Sequence, residues 1–249
     1  IRMAGNETYI QEYYDWNGSM DAQFVPTSLG PIYRTQIFGD GTVPDTRSVT
    51  DGNLEAMYQD EFILGYQHTL DSGIMLGIKG IYRKLGTTIE DVAIDAAVIS
   101  YYNSNGSWTG DDPVEDVFGG FHQYVLTNPG ADMSVYIPEQ DEVINLTSAQ
   151  LGYPKAKRTY EAIELTADVP FEGRWSTSLS YTWSRSEGNH EGYVKSDNAQ
   201  DDAGITVNFD QPGLVDNSSG KLPNDRTHTF KAYGTYQFDN GIRLGANAL

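Results

Sequence analysis

The sequence has no cysteine among its 249 residues, which excludes disulfides, thiol catalysis and cysteine-ligated zinc. It also has no run of about 18 apolar residues, so a helical membrane protein is excluded. Basic residues are scarce: 16 Lys and Arg stand against 35 Asp and Glu, giving a formal net charge of -19. A chain this acidic would repel phosphates, and nucleic acid is therefore not an expected partner.

Catalytic motifs are missing as well. The four histidines are far apart in sequence and show neither HExxH nor any paired spacing. Glu187, His190 and Glu191 lie close together in the sequence and could ligate a metal, but three polar residues in an acidic stretch are usually just solvated. Nothing sets paired carboxylates across a cleft, as a glycosidase would need. We therefore expect that the protein is not an enzyme.

Aromatic residues and glycine are plentiful, with 17 Tyr and 26 Gly in the chain. This composition favours an all-β protein with many turns. The mean hydropathy of -0.48 is that of a polar chain. It does not exclude a membrane barrel, because only every second residue of a barrel strand faces lipid.

The clearest pattern is WSTSLSYTWSRS, residues 175–186, in which large apolar and small hydroxyl side chains alternate strictly. A strand in a soluble sandwich would normally carry Lys or Glu on its wet face. Trp175 and Trp183 stand roughly 26 Å apart at about 3.3 Å per residue. At a tilt of about 40° this projects to about 20 Å, close to the apolar band of an outer-membrane barrel. We predict a transmembrane strand with Ser and Thr facing a wet lumen.

Period-2 alternation predicts further strands, with turns of a few residues between the members of each pair. The remaining connections, about 5–55, 84–157 and 187–225, are long and carry the acids. The strand pairs nearly cancel in charge, so these stretches hold the net negative charge. The sequence thus predicts an all-β fold: a partial transmembrane antiparallel β-barrel of about six to seven strands, with short periplasmic turns and long extracellular loops. The predicted strands are 58–68, 74–83, 160–169, 175–186, 227–238 and one from Ile242.

Several blocks resemble, in order, the C-terminal barrel portion of TonB-dependent outer-membrane receptors, and the likeness is closest to the Oar-like group. The resemblance covers most of residues 53–249. The blocks are NLEAMYQDEFILGYQHTLDSGIMLGIKGIYRKL, IEDVAID, RTYEAIELTADVPFEGRWSTSLSYTWSRSEGNHEGYV and LPNDRTHTFKAYGTYQFDNGIRLGA.

The resemblance implies location in the outer membrane of a Gram-negative bacterium, with outer-membrane lipid as a partner. It also implies a TonB-type energy-coupling complex acting through a plug domain, and an unknown extracellular ligand. Residues 1–249 would then be a fragment of the barrel domain without the plug and N-terminal domains. We expect such a fragment not to close into a stable barrel alone, because its open edges cannot be left in hydrocarbon.

The long loops hold the candidate binding residues. Their aromatic side chains either bind a sugar, peptide or cationic ligand or pack the loops together: Tyr101, Tyr102, Trp108, Phe121, Tyr124 and Tyr193. Clustered acids offer hard oxygen ligands that suit Ca²⁺, although they lack the order of an EF-hand: Asp111, Asp112, Glu115, Asp116, Asp201 and Asp202. No other cofactor is expected. The residues predicted to form a lipid-facing aromatic girdle are Trp175, Tyr181, Trp183, Phe230 and Phe238.

Two functions remain open from the sequence. One is ligand-gated, TonB-dependent uptake of a scarce solute, with the loops capturing it and the barrel wall giving it passage. The other is a structural or adhesive role in which the same loops bind a surface or matrix partner without transport. A soluble lectin-like or hydrolytic β-protein is a more distant third.

Overall fold

The computed structural model describes residues 9–16, 18–38, 45–119, 123–194, 204 and 206–249. The chain divides into two compact units, Ile1–Thr46 and Arg47–Leu249. The strands and helices in chain order are β1 (Tyr9–Trp16), β2 (Leu29–Phe38), β3 (Tyr58–Thr69), β4 (Met75–Thr87), β5 (Glu90–Ala93), α1 (Asp95–Asn105), α2 (Val114–Val117), β6 (Tyr124–Thr127), β7 (Met133–Ile137), β8 (Glu142–Leu146), α3 (Ser148–Leu151), β9 (Arg158–Glu172), β10 (Trp175–Gly188), β11 (Gly220–Lys221), β12 (His228–Gln237) and β13 (Arg243–Ala248).

The first unit contains an antiparallel hairpin of β1 and β2, where the sequence predicted only a loop over 5–55. That prediction was wrong for β1 and β2. Both strands are rich in Tyr, Ile and other residues that favour extended backbone. Irregularities in the pairing on either side of Tyr14 break the alternation. The alternation of apolar and polar residues that predicts a strand is therefore not visible in the sequence of this hairpin.

The second unit is built on one antiparallel sheet with the strand order β13-β12-β10-β9-β4-β3, and the short β11 pairs with the end of β10. The predicted all-β fold class is confirmed, and so are the six predicted strands. Three of them run further than the pattern indicated by two residues or more: β4 continues to Thr87, β9 begins at Arg158 and β10 continues to Gly188. The sheet is open, with β3 and β13 at its edges.

Tight turns join the strand pairs at one end of the sheet. The amide of Leu70 donates to the carbonyl of Ile74 at 2.8 Å, and the amide of Phe238 donates to that of Ile242 at 2.8 Å. Gly73 and Gly241 have φ of 78° and 84° in these turns. A side chain is disfavoured in that left-handed region, which explains glycine at both positions.

The connections at the other end fold into a compact body, which we call the cap. It comprises the described residues of 47–57, 88–157 and 189–222. The prediction that 84–157 and 187–225 are loops was wrong in this respect. Their short strands and helices enclose the main hydrophobic core, which includes Val92, Ile94, Val98, Tyr102, Phe118, Val125, Met133, Val135, Ile137, Ile144, Leu146, Phe209 and Val215. Leu85, near the end of β4, belongs to this core and so joins the sheet to it.

Polar side chains tie the cap segments together. The Asp51 carboxylate accepts hydrogen bonds from the Thr127 hydroxyl at 2.6 Å and from the Ser134 amide at 3.0 Å. The Asn189 side chain accepts from the Lys157 amide at 2.7 Å, which joins the end of β10 to the start of β9. Within the described part of the chain, no helix is long and apolar enough to cross a membrane.

Candidate functional site

One face of the sheet, here called the outer face, carries a broad apolar belt. The strand register places Tyr66, Ile78, Leu165, Tyr181 and Phe230 side by side across five strands. Large side chains of this belt are exposed, as no described element packs over them. A sheet normally buries its apolar face against another layer, so this face needs an apolar partner.

The residues predicted as an aromatic girdle lie on this belt. Trp175, Tyr181, Phe230 and Phe238 are exposed, with Trp175 51% and Phe230 53% accessible, whereas Trp183 is half-buried. The Tyr181 hydroxyl lies 2.8 Å from His228 Nδ1, and the two rings stack. Beyond Trp183 the face becomes charged, because Glu161 pairs with Arg185 in the register of β9 and β10. The belt therefore ends about where the cap begins.

The inner face of the sheet is polar over the same length. Lys79 Nζ lies 2.8 Å from Glu164 Oε1, and the Ser178 hydroxyl donates to the Asp168 carboxylate. Both pairs join neighbouring strands, β4 with β9 and β9 with β10. The hydroxyl row of β10 predicted from the sequence is thus part of a hydrogen-bonding surface on the inner face.

Packing accounts for the predicted ligand-binding aromatics of the first long connection. Tyr102 is 1% exposed, and its ring meets those of Tyr101 and Trp108 edge-on at 5.2 and 5.1 Å between centroids. Trp108 meets the buried Phe118 in the same way. Burial, together with the Glu142 carboxylate that accepts the Tyr102 hydroxyl at 2.8 Å, raises the pKa of Tyr102. These rings form the edge of the core of the cap.

The remaining aromatic candidates are held by hydrogen bonds within the cap. The Tyr193 hydroxyl accepts from the Ile89 amide at 2.9 Å, and the Tyr124 hydroxyl accepts from Gln211 Nε2 at 3.2 Å. Phe121 lies outside the described residues. The five candidates that the structure describes therefore contact other residues of the cap and stabilise its fold. They do not line a common cleft.

The predicted calcium ligands that lie in the described part of the chain are exposed and do not converge. Asp111, Asp112, Glu115 and Asp116 lie at the surface around α2. Asn103 Nδ2 donates to Glu115 Oε1 at 2.6 Å, which lowers the pKa of Glu115. Asp201 and Asp202 lie outside the described residues. Among the residues that are described, no three His, Asp or Glu side chains are placed to hold a metal ion.

A buried ionisable pair in the cap was not predicted. His190 is 1% exposed and Glu90 is fully buried, and His190 Nε2 lies 2.5 Å from Glu90 Oε1. His190 Nδ1 accepts from the Gly192 amide at 3.1 Å, so the proton is on Nε2, from which it is donated to Glu90. Burial raises the pKa of Glu90, and the histidine opposes that rise.

The expectation that His190 is a solvated loop residue was therefore wrong. The pair fixes the start of the connection after β4 to that after β10, at a sequence separation of 100 residues. One signal could have suggested the pair: two acids, Glu90 and Asp91, stand in the otherwise apolar stretch from Ile89 to Ile94.

A polar cavity of about 260 Å³ lies where the cap meets β4. Asn128 forms part of its wall and donates to the carbonyls of Thr88 and Glu55 at 2.7 and 3.0 Å. Glu55 and Lys155 bring opposite charges to the rim. The cavity is at the small end of ligand-binding cavities.

The fold is therefore that of an all-β protein whose antiparallel sheet has one apolar and one polar face. Comparison of the sequence with curated proteins gives a distant similarity to a transporter of the outer-membrane class that the sequence blocks resemble. The chain is 25% identical over 223 residues to the TonB-dependent transporter Oar of Myxococcus xanthus. The alignment covers 90% of this chain and 17% of the relative, so the chain spans about a sixth of that protein. No family model matches the chain, and no solved structure does.

Proposed function

We propose that this chain forms part of the wall and the extracellular cap of a TonB-dependent outer-membrane transporter that takes up a scarce solute. The observation that carries the proposal is the two-faced sheet, in which an exposed apolar belt backs onto a row of hydrogen-bonded polar side chains. An outer-membrane barrel needs such an alternation, with lipid on one side and water on the other. The distant similarity to a TonB-dependent transporter supports the same function.

In this proposal the outer face meets lipid, the inner face lines the passage, and the cap lies on the extracellular side. The tight turns would then lie in the periplasm, where outer-membrane barrels keep their connections short. Energy would come from a TonB-type complex through a plug domain elsewhere in the full-length protein. The role is binding and passage of a solute, and it requires neither catalysis nor a cofactor.

Tryptophan quenching tests the lipid contact. The full-length protein is reconstituted in vesicles whose lipids carry bromine on the acyl chains. Trp183 is kept, and every other tryptophan of the full-length protein, including Trp16, Trp108 and Trp175, is changed to Phe. We expect strong quenching of Trp183, because it lies on the belt. The matched control keeps Trp108 instead, which packs in the cap and should not be quenched. Equal quenching of the two variants would contradict the proposed orientation.

Solute depletion tests the uptake. Mass spectrometry of the growth medium compares cells that have the protein, cells that lack it, and cells that lack the TonB-type complex. We expect at least one solute to be depleted only when both are present. Depletion that does not depend on the complex would contradict energised uptake.

Adhesion is the second candidate, and the folded cap favours it. A body with its own core can present a fixed surface to a large partner, and exposed apolar side chains such as Val143 and Val194 lie on it. If loss of the protein abolishes attachment of cells to a surface while solute depletion is unchanged, adhesion replaces uptake as the function.

A further inference from the structure

The inner face of the sheet carries a cluster of cationic and hydrogen-bonding side chains directly below the cap. Arg83, Tyr160 and Ser186 stand side by side in the register of β4, β9 and β10. Arg158 is two residues before Tyr160 and so projects from the same face of β9. Together with Gln59 and Asn224, these side chains line a cavity of about 430 Å³. That volume suits a small organic molecule.

Two neutral acceptors hold the Arg158 guanidinium. Its Nη1 donates to the carbonyl of Glu191 at 2.7 Å and its Nη2 donates to Gln59 Oε1 at 3.1 Å, both neutral acceptors. Within the described part of the chain, no carboxylate forms a salt bridge with it. The side chain is half-buried, and a guanidinium removed from water is normally compensated by an anion.

Arg83 adds a second positive charge to the same cavity. Its Nε pairs with the Glu61 carboxylate, and its guanidinium lies 5.3 Å from the centroid of the Tyr160 ring. Arginine stays protonated in proteins, so both guanidinium groups carry their charge. Two cations therefore line the cavity, and Glu61 pairs with one of them, in a chain whose net charge is -19.

Two hydrogen bonds hold the Arg158 guanidinium in this position. A Cβ on Gly192 would lie 2.3 Å from Arg158 Nη1, so the absence of a side chain there lets the guanidinium lie against the backbone. A guanidinium held in one place loses little conformational freedom when it binds an oxyanion.

We propose that Arg158 and Arg83 form a binding site for the anionic oxygen group of a small solute, a carboxylate or a phosphate. A guanidinium offers two parallel N–H donors to such a group. Ser186 and Asn224 line the same cavity. The Ser186 hydroxyl donates to Asn224 Oδ1 at 3.2 Å, and the Asn224 Nδ2 is the further donor for the anion. Placing this site on the path of a transported solute rests on the proposed uptake function, whereas the binding itself does not.

Calorimetric titration of the full-length protein in detergent tests the site. The probes are succinate, inorganic phosphate and succinamide, the neutral diamide of succinate. We expect saturable binding of succinate or phosphate and none of succinamide, and the stronger of the two anions identifies the group that the site prefers. Arg158→Gln should weaken anion binding by about tenfold or more, because it removes a charge-assisted hydrogen bond.

Arg185→Gln is the matched control. It makes the same charge change on the neighbouring strand, where Arg185 is exposed and paired with Glu187 at 2.6 Å. Anion affinity should stay within about twofold of the parent, since exposed charges act weakly at a distance. Should Arg158→Gln fail to fold, Ser186→Ala serves in its place, with a smaller loss of affinity for the anion and none for succinamide.

Two results would overturn the inference. One is anion binding that is as strong in Arg158→Gln as in the parent. The other is no anion binding by the parent with a lower melting temperature in Arg158→Gln, which would mean that a carboxylate elsewhere in the protein already occupies the cavity. If the anion binds through Arg158 but no solute is depleted from the medium, the proposed uptake function is contradicted and the anion-binding site is supported.

Discussion

The sheet and the cap contain the same kinds of apolar side chain and use them in opposite ways. On the sheet, Phe62 and Leu64 are 65% and 69% exposed. In the cap, Phe118 and Phe209 are completely buried. The cap thus has the core of a protein that folds in water, whereas the sheet has an apolar face that no described element covers.

This difference shows which interactions supply the free energy of folding of each region. Burial stabilises the cap by roughly 25 cal/mol for each Å² of apolar surface removed from water. The sheet gains stability from its inter-strand hydrogen bonds, while its belt gains from burial only when lipid or detergent covers it. The two regions should therefore respond differently to substitution and to the surrounding medium.

The largest expected effect is in the core of the cap. Ile144 and Val143 are neighbours on β8, but Ile144 is 1% exposed and Val143 is 52% exposed. Ile144→Ala should lower the free energy of unfolding of the cap by about 2–5 kcal/mol, because it leaves a cavity. Val143→Ala should change it by less than about 1 kcal/mol. Hydrogen exchange of cap amides in the full-length protein measures both, and similar losses would mean that the cap has no specific core.

On the sheet, the corresponding test uses Leu179 and Ser180, neighbours on opposite faces of β10. Leu179→Arg should cost about 2–4 kcal/mol in liposomes, because it places a charge in the hydrocarbon near the midplane. Ser180→Arg should be tolerated on the wet inner face. Folding titrations of the full-length protein in liposomes give both values. Equal penalties at the two positions would remove the distinction between the faces.

The same contrast explains how much of the fold could be predicted. The long strands of the sheet alternate over many residues, as Trp175 to Trp183 do, and a period of two is visible over that length. The cap strands β5 to β8 have four or five residues each. A pattern that short is not distinguishable from chance, so the cap was predicted as loops.

The candidate site could be predicted only in part, for a related reason. The hydroxyl row of β10 follows from the alternation, since side chains two apart share a face. Glu90 and His190 come together only through the fold of the cap, and Arg83 and Arg158 only through the pairing of β4 with β9.

A moderate effect is expected at Tyr193, which the sequence suggested as a ligand contact. Tyr193→Phe removes the acceptor of the Ile89 amide and should destabilise the cap by about 1–3 kcal/mol. Tyr101→Phe, at the edge of the aromatic cluster, should change stability by less than about 0.5 kcal/mol. Hydrogen exchange near Ile89 reports the loss. If Tyr193→Phe lowers solute depletion and leaves exchange unchanged, the residue contacts the solute after all.

The smallest expected effect is a dependence on pH at Glu90. Burial raises its pKa in the folded protein above the ordinary value of 4.5, so the folded state holds the proton more tightly than the unfolded state does. The stability contributed by protonated Glu90 is present below pH 4.5 and is lost as pH rises through the raised pKa. Gln at this position cannot ionise, yet its side-chain oxygen can still accept the proton of His190 Nε2.

Glu90→Gln should therefore gain melting temperature relative to the parent as pH rises from about 4.5, and the gain should level off above the raised pKa. Glu115→Gln is the control with the opposite sign, because the hydrogen bond from Asn103 lowers the pKa of Glu115. Relative to this variant, the parent should have a slightly higher melting temperature at higher pH. Melting curves of the cap from pH 4 to 8 give both slopes. Parallel curves for the parent and Glu90→Gln would mean that Glu90 meets water in the folded protein, and the cap would then lack the dry interior that distinguishes it from the sheet.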